Sequence, residues 1–121
     1  MVTAEPQNNI RFPSRRALLD RELSRWLPLL IAHERPDKII LFGSYCTGQI
    51  GEWSDLDMVI IKESTMTFLD RTRRVLELLK PRVGVDVLVY TPREYEQLGQ
   101  ERAFVRQEIV TKGRVIYERG S

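Results

Sequence analysis

The spacing of hydrophobic positions changes along the chain, and this change predicts a series of alternating helices and strands. From Ser14 onward, leucine and tryptophan recur every three or four residues, which predicts an amphipathic helix that Pro36 ends. Pro28 lies inside this pattern and should kink the helix or split it in two. Residues 1–13 are polar and show no such spacing. We therefore expect a loose N-terminal arm at 1–13 and a single domain at 14–121.

Short apolar runs between these helical patterns predict the strands of one sheet. The predicted strands are 38–42, 55–61, 83–90 and 115–117. Residues 43–54 are rich in glycine and separate the first two strands as a loop with room for one helical turn. The order of elements predicts an α+β fold, in which a small mixed β-sheet has helices packed mainly on one face.

Two further helices begin at recognisable capping residues. Thr67 precedes a helical pattern that Pro81 ends. Thr91 is followed by proline and then by Glu94, which is the arrangement of a capping box. This second helix, or a pair of helices, is expected to run to about Thr111.

Composition and charge exclude several classes of protein. The chain has 121 residues, of which 42% are hydrophobic and 30% charged, and its net charge is +2. These values are typical of a globular domain and lack the dense positive charge of an obligate nucleic-acid binder, so no stable nucleic-acid binding is expected. No apolar stretch approaches the roughly 18 residues of a membrane span. With no signal-like N-terminus, we expect a cytoplasmic protein without membrane contact.

The scarcity of cysteine and histidine limits the chemistry further. Cys46 and His33 are the sole residues of their types, which rules out a cysteine-built zinc site or a multi-histidine cage. Cys46 is not expected to be a catalytic thiol, and His33 is expected to be solvated at a helix end. Any catalysis must therefore use carboxylates, hydroxyls, backbone amides or arginines.

Three aspartates in strand-like sequences are the strongest chemical feature. Asp55 and Asp57 are two residues apart, so on a strand they point to one face with Cα atoms about 6.6 Å apart. Asp86 interrupts an apolar strand, where an unpaired carboxylate is costly. If the strands are neighbours, the three carboxylates converge into an all-oxygen site that suits Mg²⁺ or Mn²⁺. Two such ions, about 3.5 to 4 Å apart, can clamp a phosphoryl or nucleotidyl displacement.

Each aspartate also has a purely structural interpretation. Asp86 could pair with Arg82 or Arg114. Asp55 could cap a turn, and Asp57 could lie on a solvated edge. The glycine-containing loop favours the functional interpretation, because Gly43 and Ser44 follow a strand directly and can bind phosphate through backbone amides and a hydroxyl.

The spacing of these residues resembles the signature of a known superfamily. Gly43-Ser44, ten residues and Asp55-x-Asp57, followed after one helix by Val85-Asp86-Val87, resemble the polymerase-β-like nucleotidyltransferase superfamily. The stretch LFGSYCTGQIGEWSDLDMVII is similar to the small prokaryotic minimal nucleotidyltransferases (MNT). The resemblance covers about residues 38–90 and implies the polymerase-β-like nucleotidyltransferase fold.

The resemblance implies a role for each matching residue. Asp55 and Asp57 would hold two Mg²⁺ ions, and Asp86 would bind the catalytic ion and help to activate the attacking hydroxyl. Gly43 and Ser44 would bind the β- and γ-phosphates of a nucleoside triphosphate. The hydroxyl would attack the α-phosphorus, with pyrophosphate as the leaving group.

The resemblance also implies a partner. It indicates an enzyme that transfers AMP from ATP to a hydroxyl, in this case a tyrosine of an all-helical HEPN-type toxin, and hence the antitoxin of a toxin–antitoxin pair. The short chain leaves little room for an acceptor-binding domain, which agrees with a partner that supplies the acceptor. Two other hypotheses stay open: a non-catalytic module that masks the toxin, and a transferase for aminoglycoside-like alcohols that acts as a homo-oligomer.

Several other residues have mainly structural interpretations. Arg71, Arg73 and Arg74 cluster on one helix and are expected to form a solvated face, with contact to a partner as the alternative. Trp53 flanks the aspartates and is expected to pack in the protein, with stacking on a nucleotide as the alternative.

Overall fold

The computed structural model describes residues 14–120, so the expected arm at 1–13 lies outside the described residues. The elements in chain order are α1 (Arg15–Glu34), β1 (Lys38–Phe42), α2 (Ser44–Thr47), β2 (Leu56–Ile61), α3 (Phe68–Leu79), β3 (Val85–Tyr90), α4 (Pro92–Glu101), a π-helix (Val105–Thr111) and β4 (Arg114–Glu118). In residues 14–120, no helix is long and apolar enough to cross a bilayer.

The four strands form one mixed sheet, as the sequence predicts. The strand order is β3-β2-β1-β4, with β2 and β3 parallel and the other neighbours antiparallel. Helix α3 makes the crossover between β2 and β3, the connection that a parallel pair requires. In this register Asp57 lies between Phe42 of β1 and Asp86 of β3. The sheet thereby brings two of the three candidate carboxylates side by side.

Helices cover both faces of the sheet, although the two longest share one face. Helices α1 and α3 pack on the face that carries Leu56, Met58 and Ile60. Helix α4 and the π-helix contribute to the opposite core, which contains Val59 and Ile61. The mixed α+β fold is confirmed, and the second helical layer is an addition to the sequence prediction. Each strand buries alternate residues on opposite faces.

Pro28 does not divide the first helix. Helix α1 runs without a break through this position, and its buried face contacts the sheet on both sides of the proline through Leu23, Trp26 and Leu30. A proline inside a helix costs about 3 kcal/mol because one backbone hydrogen bond is lost. Burial of three large side chains can offset this cost, since each contributes about 1.5 to 3 kcal/mol.

The predicted helix starts are confirmed, while two strands begin later than predicted. The side chains of Ser14, Thr67 and Thr91 each accept a backbone hydrogen bond at a helix start, and Thr91 forms the complete capping box. Strand β2 begins at Leu56 and strand β3 at Val85. Asp55 therefore lies just outside its strand, where its side chain is less constrained.

The expectation of a wholly solvated arginine face on α3 is wrong for one residue. Arg71 is buried, with 7% of its surface exposed. Its Nη1 donates to Val89 O at 2.9 Å and to Glu94 Oε1 at 2.7 Å. A helical pattern treats arginine as a surface residue, but this guanidinium joins α3 to β3 and α4. Arg73 is exposed as predicted, and Arg74 pairs with a buried glutamate of α1.

Candidate functional site

Asp57 and Asp86 lie at one end of the sheet, on the face that α4 and the π-helix partly cover, and Asp55 lies at the same end, just before β2. Asp57 alternates with Val59 and Ile61, so its side chain points to the same face as theirs. The apolar part of this face is buried in the second core, whereas Asp57 is half-buried and both Asp55 and Asp86 are exposed. This end of the face is accessible to a ligand.

Asp57 and Asp86 form a close carboxylate pair. The two residues are register partners on parallel strands, and their side chains are within hydrogen-bonding distance. Burial, followed by the neighbouring Asp86 and Asp55 carboxylates, raises the pKa of Asp57 to about 6. A neighbouring like charge disfavours ionisation of Asp57. The pair is therefore a concentration of negative charge that a cation would stabilise.

Asp55 has a different environment from the other two. Its Oδ1 lies 3.7 Å from Nη2 of Arg15, and its carboxylate abuts Gly84, where any larger residue would overlap it. Within residues 14–120, Asp86 forms no ion pair with Arg82 or Arg114. The same residues contain no group of three acidic, cysteine or histidine side chains already gathered as a metal cage. Asp55 would have to turn from Arg15 toward Asp57 to complete a three-carboxylate site.

Sequence reasoning missed Arg15 and Gly84. Arg15 is 39 positions from Ser54, yet its Nε donates to Ser54 O at 2.8 Å and holds the chain just before Asp55. The folded structure alone brings these positions together. Gly84 offered a weak signal, because a glycine next to a strand often marks a close approach of another group.

Gly43 places the phosphate-binding candidate directly beside Asp57. Its φ is 76°, a left-handed conformation that glycine adopts without strain, and a side chain here would overlap Asp57 Oδ2. Helix α2 begins at the next residue, Ser44. Gly43 and Ser44 are thus adjacent to the carboxylate pair, as expected if one ligand contacts both.

The loop that follows Gly43 is anchored in the protein by Tyr45. The Tyr45 hydroxyl donates to Asp20 of α1, and the guanidinium groups of Arg16 and Arg114 lie 5.2 and 5.8 Å from the centre of its ring.

Burial raises the pKa of the Cys46 thiol, which keeps it protonated at neutral pH. A protonated thiol agrees with the expectation that Cys46 is not catalytic.

Trp53 does not pack in the protein, so the sequence expectation for it is wrong. Its side chain is 82% exposed. It lies on a turn closed by two hydrogen bonds between Gly51 and Ser54, of 2.8 and 3.3 Å. Tryptophan is usually buried, but here the tight turn directs the indole away from the sheet.

His33 is exposed near the end of α1, as predicted.

The donor set suits a hard divalent cation. Asp55, Asp57 and Asp86 offer oxygen atoms alone, which favours Mg²⁺ or Mn²⁺ over Zn²⁺. The carboxylates of Asp86 and Asp55 repel that of Asp57 and, after burial, contribute to its raised pKa. A cation bound here would relieve that repulsion.

Comparisons with known proteins find one family and two similar structures. Residues 27–121 match the family described as polymerase beta, nucleotidyltransferase. A provisionally assigned nucleotidyltransferase from Sulfolobus solfataricus has a similar structure, with a TM-score of 0.52 and 17% identity over 90% of this chain and 93% of that one. A toxin–antitoxin structure with AMP-PNP gives a TM-score of 0.41 and 19% identity over 86% of this chain and 73% of that one. No curated protein sequence matches the chain.

Proposed function

This chain belongs to the polymerase beta nucleotidyltransferase family, and we propose that it transfers a nucleoside monophosphate, AMP from ATP, to a hydroxyl group. The observation that carries the proposal is the contact between two motifs. Gly43, which begins the phosphate-binding loop, abuts Asp57, which is paired with Asp86. A nucleoside triphosphate needs both features at once, since its reacting phosphorus and its leaving pyrophosphate are adjacent.

Mg²⁺ is the cofactor that this proposal requires. Asp55, Asp57 and Asp86 would hold two ions, with Mn²⁺ as a substitute. When bound, the ions neutralise the phosphates and polarise the bonds that form and break at the α-phosphorus. To bind an ion together with the other two aspartates, Asp55 would turn away from Arg15.

Residues of the chain would bind the phosphates and accept the proton of the attacking hydroxyl. Asp86 is exposed and accepts the proton of the attacking hydroxyl, whose oxygen then bonds to the α-phosphorus. Ser44 and the backbone of Gly43 hold the β- and γ-phosphates, so that pyrophosphate leaves in line. Asp57 stays ionised once its negative neighbours are neutralised.

The acceptor that we propose is a tyrosine of a HEPN-type toxin, which would make this protein the antitoxin of a toxin–antitoxin pair. Support comes from the resemblance of residues 38–90 to minimal nucleotidyltransferases. The exposed apolar side chains at the start of α3, Met66, Phe68 and Leu69, offer surface for a protein partner. Transfer to a partner would make neutralisation of the toxin a covalent event.

The experiment uses ATP labelled at either the α- or the γ-phosphate, together with Mg²⁺ and the protein encoded by the neighbouring gene. The proposal predicts that the α-label alone appears on the partner, and that the Asp57→Asn variant transfers none. Glu52→Gln is the matched control, because it removes one carboxylate from an exposed residue near the site. Absence of any transfer, with full protection of cells by Asp57→Asn, would favour masking of the toxin without catalysis.

A further inference from the structure

Trp53 is the most exposed large apolar side chain of the described residues. It is 82% exposed, whereas the other tryptophan, Trp26, is completely buried. An indole has a large apolar surface, and its burial would contribute to the stability of the protein or of a complex. An exposed indole makes no such contribution. Tryptophan is among the residue types enriched at the centres of binding surfaces.

Three hydrogen bonds hold the backbone of the turn that carries Trp53. Gly51 N–H donates to Ser54 Oγ at 2.8 Å, and Ser54 N–H donates to Gly51 O at 3.3 Å. Arg15 Nε donates to Ser54 O at 2.8 Å and ties the turn to α1. Because the backbone around Trp53 is already ordered, a ligand that stacks on its ring loses less entropy on binding.

The turn that carries Trp53 is next to the carboxylates along the chain. Trp53 is two residues before Asp55, so their Cα atoms are at most about 7 Å apart. After Asp55 the chain pairs with β3, where Leu56 N–H donates to Gly84 O. A nucleotide held by the aspartates would therefore lie within reach of the indole.

We propose that the Trp53 indole is the stacking platform for the base of the nucleoside triphosphate. This inference rests on the proposed function. A base stacks on an aromatic ring through its π-face, a contact that every base can make. Trp53 should therefore strengthen the binding of all four nucleotides, purines more than pyrimidines, because a purine offers the larger stacking face.

The test compares the affinity for MgATP with that for magnesium tripolyphosphate, which has the phosphate chain and no base. Replacement Trp53→Ala is expected to weaken MgATP binding about 5- to 150-fold, and Trp53→Phe by much less. Tripolyphosphate affinity should not change in either variant. Equal loss of both ligands would overturn the proposal, because it would mean that the substitution disturbs the phosphate or metal site.

Phe104 provides the matched control. It is also exposed, at 54%, and its ring packs edge-on against Phe42, the strand neighbour of Asp57. If the base stacks on Phe104 instead, Phe104→Ala loses MgATP affinity while Trp53→Ala does not, and the proposal is wrong. Equal melting temperatures of variants and wild type show that each is folded.

Tryptophan fluorescence gives a second readout in the unmodified protein. Because Trp26 is buried, quenching by iodide reports on Trp53. Bound MgATP should protect Trp53 from iodide, and tripolyphosphate should not. Lack of protection at saturating MgATP would overturn the inference, whereas failure of wild type to bind any triphosphate would overturn the proposed function itself.

Discussion

Replacement of Asp57 by asparagine should stabilise the metal-free protein. Burial and the adjacent Asp86 carboxylate raise the pKa of Asp57 from its ordinary value of 3.8 to about 6. Folding therefore makes ionisation of this group less favourable, and the ionised carboxylate destabilises the folded state at neutral pH. Asparagine removes the charge and can donate a hydrogen bond to Asp86.

The size of the effect follows from the pKa shift. A shift of this size corresponds to about 3 kcal/mol at pH 7 if the site excludes water completely. Asp57 is half-buried, so solvent screening reduces the expected gain to about 1 to 2 kcal/mol. For a domain of this size, the melting temperature should rise by roughly 3 to 8 °C.

The stabilisation by Asp57→Asn should depend on pH. A carboxyl group with a raised folded-state pKa costs no stability when it is protonated in both states. The cost appears as pH rises above 3.8, the ordinary value, and is complete above the folded-state value of about 6. Asp57→Asn should therefore be more stable than wild type by about 1 to 2 kcal/mol at pH 7.5. Near pH 4 the difference should be close to zero.

Chemical denaturation followed by circular dichroism, in EDTA and from pH 4 to 7.5, measures this difference directly. Glu52→Gln serves as the control, since it removes a carboxylate that lies at an exposed position of the neighbouring turn. A stability gap that is independent of pH, or a variant less stable than wild type at pH 7.5, would refute the reasoning. Mg²⁺ should stabilise wild type and leave Asp57→Asn nearly unchanged.

Three further predictions concern the buried arginine of α3, Asp55 and the start of α4. Arg71→Ala should lower the unfolding free energy by about 2 to 4 kcal/mol in urea denaturation, because it removes a buried guanidinium that pairs with the half-exposed Glu94 and donates to two backbone carbonyls, whereas the exposed Arg73→Ala should change it by less than about 0.5; similar losses would contradict the role of Arg71. Asp55→Asn should weaken Mn²⁺ binding about tenfold in electron paramagnetic resonance titrations, and unchanged affinity would show that Asp55 is not a ligand. Thr91→Ala should cost about 1 kcal/mol through loss of the capping box, and a neutral result would refute that estimate.

The pairing of Asp57 with Asp86 was predictable because it depends on local rules. One intervening helix makes β2 and β3 parallel neighbours, which sets Asp57 opposite Asp86. The two-residue period of a strand would add Asp55 to the same face, but Asp55 precedes β2 and lies beside Arg15. Gly43 was predictable as a close-approach residue, although not that its partner would be Asp57.

The features that escaped prediction depend on contacts between distant segments. Arg15 reaches Ser54 across 39 positions, and no pattern in the sequence joins them. Arg71 is buried because Glu94 and a strand carbonyl meet it in the folded protein, whereas helical periodicity assigns arginine to the surface. Tryptophan is large and apolar, so the sequence alone assigns Trp53 to the core, but a tight turn directs its side chain outward.

The central claim is that the three aspartates and the Gly43–Ser44 loop together bind a metal–nucleotide complex. Thermal unfolding with ATP, with and without Mg²⁺, tests this claim before any acceptor is known. At 100 times its dissociation constant, MgATP should stabilise wild type by about 2.7 kcal/mol. ATP in EDTA should stabilise it far less, and Asp55→Asn should show little response to MgATP. Equal stabilisation by ATP without metal, or a wild-type response in Asp55→Asn, would contradict the account.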